Sequence, residues 1–306
     1  MANLSPIVLF VYNRLWHTKK TIEALQKNKL ASDSELFIYA DGARNEKEND
    51  QVLQVNNYIK KVDGFKKVII IERDNNWGLA NSVIDGVTQI VNKYGRVIVL
   101  EDDLVTSKYF LTYMNKTLDI FQHNDQVGSI SGFSFTQEFM QFPSNYKRDV
   151  YFHYRPMSWG WATWKGRWNN TDWQVEDFFL FIKDKKKKKE FSKYGPDVIR
   201  MLKKQMKGEI DSWYIRWTYS SYKKGFLTVY PIKSFINNIG HDESGVHCSK
   251  DKDMILSHSE LVQHGNFKIE NIVVLDSMIV KSFNKAFAIN ARKIIRKIVK
   301  IVFNKV

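Results

Sequence analysis

Four short apolar runs, each followed by polar residues and a helix-compatible stretch, constrain this chain more than any other feature. Ile7-Val8-Leu9-Phe10-Val11-Tyr12, Leu36-Phe37-Ile38-Tyr39-Ala40, Val68-Ile69-Ile70-Ile71 and Val97-Ile98-Val99-Leu100 are continuous rather than alternating. That is the pattern of strands covered on both faces. Between them, Thr18 to Leu30 puts Ile22, Leu25 and Leu30 on one helical face, and Asn49 to Val62 is polar and helix-compatible. Leu79, Val83, Ile84, Val87, Ile90 and Val91 define a helix over 79–93. The alternation predicts an α/β fold on an open, mostly parallel sheet.

After about residue 130 the texture changes. Residues 151–173 hold five tryptophans, at 159, 161, 164, 168 and 173, with little periodicity. This predicts an α+β region laid over a sheet edge.

Composition narrows the class. Of 306 residues, 43% are hydrophobic and 26% charged, which excludes wholesale disorder. The single cysteine, Cys248, excludes a disulfide framework and a thiolate metal cluster. The formal charge is +14, but residues 183–189 carry +5 of it and residues 283–306 carry +7. The remainder is near neutral, unlike a nucleic-acid reader with a basic stripe through its body, so no nucleic-acid partner is expected. The sequence shows no signal peptide and no run of roughly 18–20 uncharged residues, and a cytoplasmic protein is expected.

Ligands of open parallel sheets bind beyond the carboxyl ends of the strands. Asn13-Arg14, Asp41-Gly42 and Glu101-Asp102-Asp103 stand at three such ends. No glycine-rich loop follows the first run, so neither a dinucleotide fingerprint nor a P-loop is supported. Carboxylates can instead fix a hard divalent cation, Mn2+ or Mg2+, whose open positions take phosphate oxygens. The competing reading of the acidic triplet is a cap for a helix beginning near Ser107.

These segments carry a family resemblance. IVLFVYNR, YADG, NNWGLANSVIDGV and VIVLEDD, in that order, resemble the nucleotide-binding half of GT-A-type glycosyltransferases, nearest to relatives of N-acetylglucosaminyltransferase I. SWGWATW (158–164), IDSWYIRW (210–217) and NIGHDESGVH (238–247) resemble segments of bacterial transferases of that group. The resemblance implies a Rossmann-like GT-A fold: a nucleotide-sugar-binding region over 1–130, an acceptor and catalytic region over 131–260, and a C-terminal extension over 261–306. It implies a metal-dependent, inverting transfer from a UDP-sugar to a glycan or lipid-linked acceptor in bacterial surface polysaccharide synthesis.

Residue by residue, the resemblance makes Asp103 the metal ligand, with Asp102 near the ribose and Glu101 near the transferred sugar. Asp41 would read the base and Arg14 would lie by ribose or phosphate. Asn76, Trp77 and Asn81 would close the donor pocket, although singly Asn76 and Asn81 also read as turn residues. Asp211 would be the base that inversion requires, with Glu209 its rival; nearby tryptophans would exclude water around it, and its alternative role is a helix N-cap. His247 would be a second metal ligand, with His241 in reserve. Trp159 and Trp161, flanking Gly160, would stack on sugar, the other tryptophans serving the core.

The tail has its own pattern. Lys285, Arg292, Lys293, Arg296, Lys297 and Lys300 share one helical face, and Phe283, Phe287, Ala291, Ile294, Ile295, Ile298, Ile301 and Val302 share the other. Such a helix suits an anionic membrane surface, placing the protein peripherally at the inner face of the plasma membrane. The competing reading is a helix packed on the body. A sugar-phosphate nucleotidyltransferase and a non-enzymatic membrane-binding protein are the alternative functions.

Overall fold

The computed structural model describes residues 4–242 and 260–288. The four apolar runs form β1 (Ile7–Val11), β2 (Glu35–Ala40), β3 (Lys67–Glu72) and β4 (Arg96–Glu101). β2 and β4 flank β1 in parallel, and β3 lies parallel outside β2. β5 (Leu104–Thr106), β6 (Val127–Ser131), β7 (Val150–His153), β8 (Trp161–Trp164), β9 (Leu227–Pro231) and β10 (Ile236–Asn238) follow. The main sheet has eight strands in the order β3-β2-β1-β4-β8-β6-β9-β7, and β10 pairs with β5 in a second small sheet. β8 runs antiparallel to both β4 and β6, β9 parallel to β6, and β7 antiparallel to β9. Six strands, β1 to β4, β6 and β9, thus run one way and only β7 and β8 run against them, so the sheet is mostly parallel as expected.

Alternation along β1 shows why it is apolar throughout. Ile7, Leu9 and Val11 join one core with Ile22, Leu25, Val55 and Phe110, while Val8 and Phe10 join another with Val83, Val87 and Ile90. Helices Leu15–Gln26, Asn49–Ile59 and Phe110–Phe121 therefore cover one face and Gly78–Tyr94 the other. Helix Trp213–Lys224 joins Gly78–Tyr94 on the second face through Trp213 and Trp217.

Trp161 lies inside this second core. Its side chain is 1% exposed and its ring stacks on Trp213 at 5.1 Å, with Trp168 and Trp217 beyond. The expected sugar-stacking face of Trp161 is therefore covered by protein. Gly160, expected to bring backbone close to a ligand, instead adopts φ +56° against Ile236, where an added Cβ would fall 2.7 Å from the Ile236 side chain. Its carbonyl accepts a hydrogen bond from the Gly132 N–H at 2.6 Å.

Residues 277–288 are helical and dock on a third core. Phe283 is fully buried against Phe135, Tyr151, His153 and Tyr230, and the Arg155 guanidinium lies over the Phe287 ring at 4.2 Å. The apolar face expected to meet a membrane at Phe283 and Phe287 is thus turned into the body, while Lys285 stays exposed. Residues 289–306 lie outside the described residues. Among those described, no helix is long and apolar enough to cross a membrane.

Candidate functional site

The chain runs β1, β2, β3 to one side and then returns to β4 on the other side of β1. The reversal leaves a crevice beyond the carboxyl ends of β1 and β4, the place where open α/β sheets bind ligands. Arg14 follows β1 there, and Glu101-Asp102-Asp103 ends β4.

Arg14 pairs with both aspartates. Its Nη2 bonds the Asp102 carboxylate and lies 2.8 Å from Asp103 Oδ2, and its Nε lies 3.4 Å from Asp102. Asp102 and Asp103 are 5% and 9% exposed, so one guanidinium serves two buried carboxylates and a third neighbour, Glu101. With all three acids ionised, two negative charges stay uncompensated within the cluster. Burial, then the charges of Asp103 and Asp102, raise Glu101 to about 8, with Arg14 opposing. Burial also raises Asp102, against the pull of Arg14. Burial disfavours the charged form of Arg14, but the two aspartates outweigh it and hold the group above its ordinary value.

The expected helix cap is not the role of this triplet. The following helix starts at Phe110, beyond the short strand β5. Instead β5 pairs antiparallel with β10, with Leu104 opposite Asn238, so the next residues of each strand also meet. The Ile239 N–H donates to the Asp103 carbonyl at 2.9 Å. Gly240 follows, where any Cβ would sit 2.1 Å from Asp103 Oδ2; only glycine lets the chain cross this carboxylate so closely.

His241 comes next. Both ring nitrogens are shut off from solvent and have no hydrogen-bond partner among the described residues. Burial lowers its pKa, while the charges of Asp103 and Asp242 work the other way, so its ring is neutral at pH 7. Trp159 lies 5.6 Å from the His241 ring, and Asp242 reaches back to His17 at 3.0 Å. Of the two candidate histidines, His241 is the one the β5–β10 ladder delivers to Asp103. His247 lies outside the described residues.

Asp41, at the end of β2, behaves differently. Its carboxylate accepts hydrogen bonds from the N–H groups of Trp77 (2.8 Å) and Gly78 (2.9 Å) and from the Asn76 amide (3.1 Å). The aspartate thus caps the start of helix Gly78–Tyr94 from outside. Asn76 also bonds the Gly42 carbonyl, and the Asn81 amide bonds the Trp77 carbonyl, four residues back. The Trp77 indole is 43% exposed beneath the Arg73 guanidinium, 3.6 Å from the ring centre. These residues build one turn beside the crevice.

Asp211 precedes helix Trp213–Lys224, whose N-cap is Ser212 rather than Asp211; the Ser212 hydroxyl accepts from the Ile215 N–H. The helix ends just before β9, and β9 is parallel to β6. Through the two antiparallel pairings of β8, β6 points the same way as β4. The first turn of the helix, and Asp211 with it, therefore lies at the sheet edge that carries the carboxyl ends of β1 and β4. The Asp211 carboxylate is exposed and pairs with Arg216 at 3.1 Å, whereas Trp213 and Trp217 face the core. The expected tryptophan enclosure around it is absent in this structure.

Sequence reasoning missed Arg155. It is buried, bonds Asp197 through two nitrogens, and donates to the Tyr214 hydroxyl at 2.7 Å, tying residues on either side of Asp211 together. No motif marks it; only the fold brings Asp197 and Tyr214 to it.

No family model matches this chain, and no curated protein matches it. Among solved structures, it is similar to the mannosyltransferase PcManGT from Pyrobaculum calidifontis, solved with GDP-Man and Mn2+, at 10% identity over 54% of this chain and 46% of that one, TM-score 0.37. It is also similar to S. aureus TarS, at 12% identity over 78% of this chain and 37% of that one, TM-score 0.42. A TarS 1-349 structure gives 11% identity, 76% and 59% coverage, and a TM-score of 0.41. The chain therefore spans between about a third and three-fifths of these proteins. At such identities and scores the reading of the site rests on its own geometry.

Proposed function

We propose that the chain is a glycosyltransferase that takes a sugar from a nucleotide-sugar donor, with UDP as the nucleotide, and inverts the anomeric centre. The observation that carries this reading is the cluster at the β1–β4 crevice: Asp103 and Asp102 against a single Arg14, with His241 beside them, its nitrogens without a partner among the described residues. One carboxylate, one neutral imidazole and a carboxylate pair that a single guanidinium only half neutralises fit a hard divalent ion, Mn2+ or Mg2+, with positions left for diphosphate oxygens. Among the described residues no group of three such side chains gathers, so this reading requires the ion to take its remaining ligands from substrate and water. Asp103 and His241 would hold the ion, which would supply charge neutralisation for the departing nucleoside diphosphate; His247 is the alternative ligand.

The chain's own residues do the rest in this scheme. Arg14 exchanges its aspartate partners for phosphate, Asp41 holds the turn at Asn76–Gly78 that borders the donor, and Trp159 offers a half-buried indole near the site. Asp211 takes the proton of the acceptor hydroxyl as its oxygen attacks the anomeric carbon and the bond to the diphosphate breaks. The acceptor is proposed to be a surface glycan or its lipid-linked precursor, with the basic residues beyond 288 contributing to peripheral attachment, since Phe283 and Phe287 pack on the body.

The test is a thermal-shift screen of nucleotides and nucleotide-sugars with Mn2+, Mg2+ or EDTA, followed by transfer assays. A ligand at 100 times its Kd stabilises by about 2.7 kcal/mol, several degrees in Tm. We expect a cation-dependent shift with a UDP-sugar, retained by Asp211→Asn, whose turnover falls about 10^2- to 10^4-fold. No cation-dependent shift with any nucleotide-sugar would overturn the reading.

A further inference from the structure

A second surface lies away from the crevice, on the last turns of helix Trp213–Lys224. There the short helices Phe178–Phe181 and Lys185–Phe191 are pinned by rings: Phe181 on Tyr219 at 4.9 Å, and Phe191 on Tyr219 at 5.4 Å and on Tyr222 at 5.2 Å. On this firm base Phe179 and Leu180 project outward, each 73% exposed, the most exposed large apolar residues of the described chain. Beside them stand Lys183, Lys185, Lys186, Lys187 and Lys189, all exposed, and the half-buried Lys188.

The acids of this corner offset those lysines only in part. Asp184 is engaged at its own helix N-terminus, accepting from the N–H groups of Lys186 (2.8 Å) and Lys187 (3.0 Å). Asp177 accepts from the Tyr219 hydroxyl and pairs with Lys223, and the charge of Glu190 acts on the Tyr222 hydroxyl. What remains is an apolar tip ringed by an excess of cations, six lysines against one aspartate over 183–189.

We propose that this corner, residues 178–189, docks on an anionic lipid surface, with Phe179 and Leu180 entering the headgroup boundary and the lysines contacting lipid phosphates and carboxylates. A folded protein partner fits less well, because a stable protein interface needs roughly 20–30 residues a side, and two apolar side chains do not supply its core. A membrane interface asks only for apolar tips and a dense negative surface. The inference is independent of the glycosyl-transfer reading and of the residues 283–306, which carry their own basic charge.

The test uses the full chain with Cys248→Ser and Leu180→Cys, labelled at 180 with an environment-sensitive fluorophore. It is mixed with vesicles of phosphatidylcholine alone or with phosphatidylserine, and sedimentation is read in parallel. We expect a blue shift only with phosphatidylserine, reversed by high salt. In the unlabelled chain, Phe179→Ser with Leu180→Ser should lower vesicle partitioning about tenfold. Lys185→Gln, Lys186→Gln and Lys187→Gln should each lower it about fivefold. All these positions are exposed, and an unchanged Tm confirms folding. Sedimentation with vesicles while the label stays in water would overturn the proposal and assign attachment elsewhere in the chain; so would a failure to sediment at all.

Discussion

The carboxyl ends of β2 and β4 carry the same residue type and use it in opposite ways. Asp41 spends its carboxylate on the backbone of one turn, and its partners are all neutral donors fixed by the fold. Asp102 and Asp103 share one arginine with Glu101 at their side, and the charge of Asp103 acts on His241, whose ring nitrogens have no hydrogen-bond partner among the described residues. A satisfied carboxylate adds to stability; a crowded one costs stability unless something else arrives. The difference separates an aspartate whose bonds the fold supplies from a pair that shares one cation, and the proposed function rests on that pair.

Substitution at the two ends should therefore give opposite signatures. Asp103→Ala should cut sugar transfer by about 10^3-fold and abolish cation-dependent donor binding, while Tm without cation falls little or rises. Asp41→Ala should do the reverse. It leaves the backbone N–H groups of Gly42, Trp77 and Gly78 and the Asn76 amide without this acceptor, costing about 2–4 kcal/mol and lowering Tm by about 5–10 °C. If Asp41→Ala kept its Tm and lost donor binding, the contrast would break, and Asp41 would be the reader of the base.

The next prediction sharpens the β4 end. His241→Ala should weaken Mn2+ binding about tenfold or more, measured by calorimetry in the presence of nucleoside diphosphate, and His247→Ala should leave it within about twofold. The opposite ranking would move the second ligand to His247.

How much of this was legible beforehand differs by region. β1 to β4 were readable because each shows unbroken apolar character, β1 and β2 between parallel neighbours, β4 between parallel β1 and antiparallel β8, and β3 at the sheet edge; helix Gly78–Tyr94 kept its period over its full length. Strand ends with charged residues then marked the crevice. The placement of His241 was not readable, since it depends on β10 pairing with β5, two three-residue strands far apart in sequence. Trp161 was misjudged because a tryptophan beside a glycine looks alike in a core and at a ligand; only the stacking on Trp213 decides. Periodicity identified the apolar face of Phe283 and Phe287 but held no information about what covers it.

The smallest effect concerns Glu101, and its sign follows from linkage. Its folded pKa, about 8, lies above the ordinary carboxylate value of 4.5. The folded state therefore holds a proton that the unfolded chain has already released, and stability falls as pH rises from about 4.5 to 8. Glu101→Gln keeps the shape of the neutral acid and removes that penalty. We expect Tm near pH 8.5 to rise by about 3 °C over the parent, with little difference near pH 4, in thermal melts without divalent cation. Adding the cation should shrink the gain, because a positive charge beside Asp103 lowers the cost of ionising Glu101. A gain of equal size at both pH values would mean that Glu101 is burdened by packing rather than by charge, and the contrast between the two strand ends would lose its electrostatic basis.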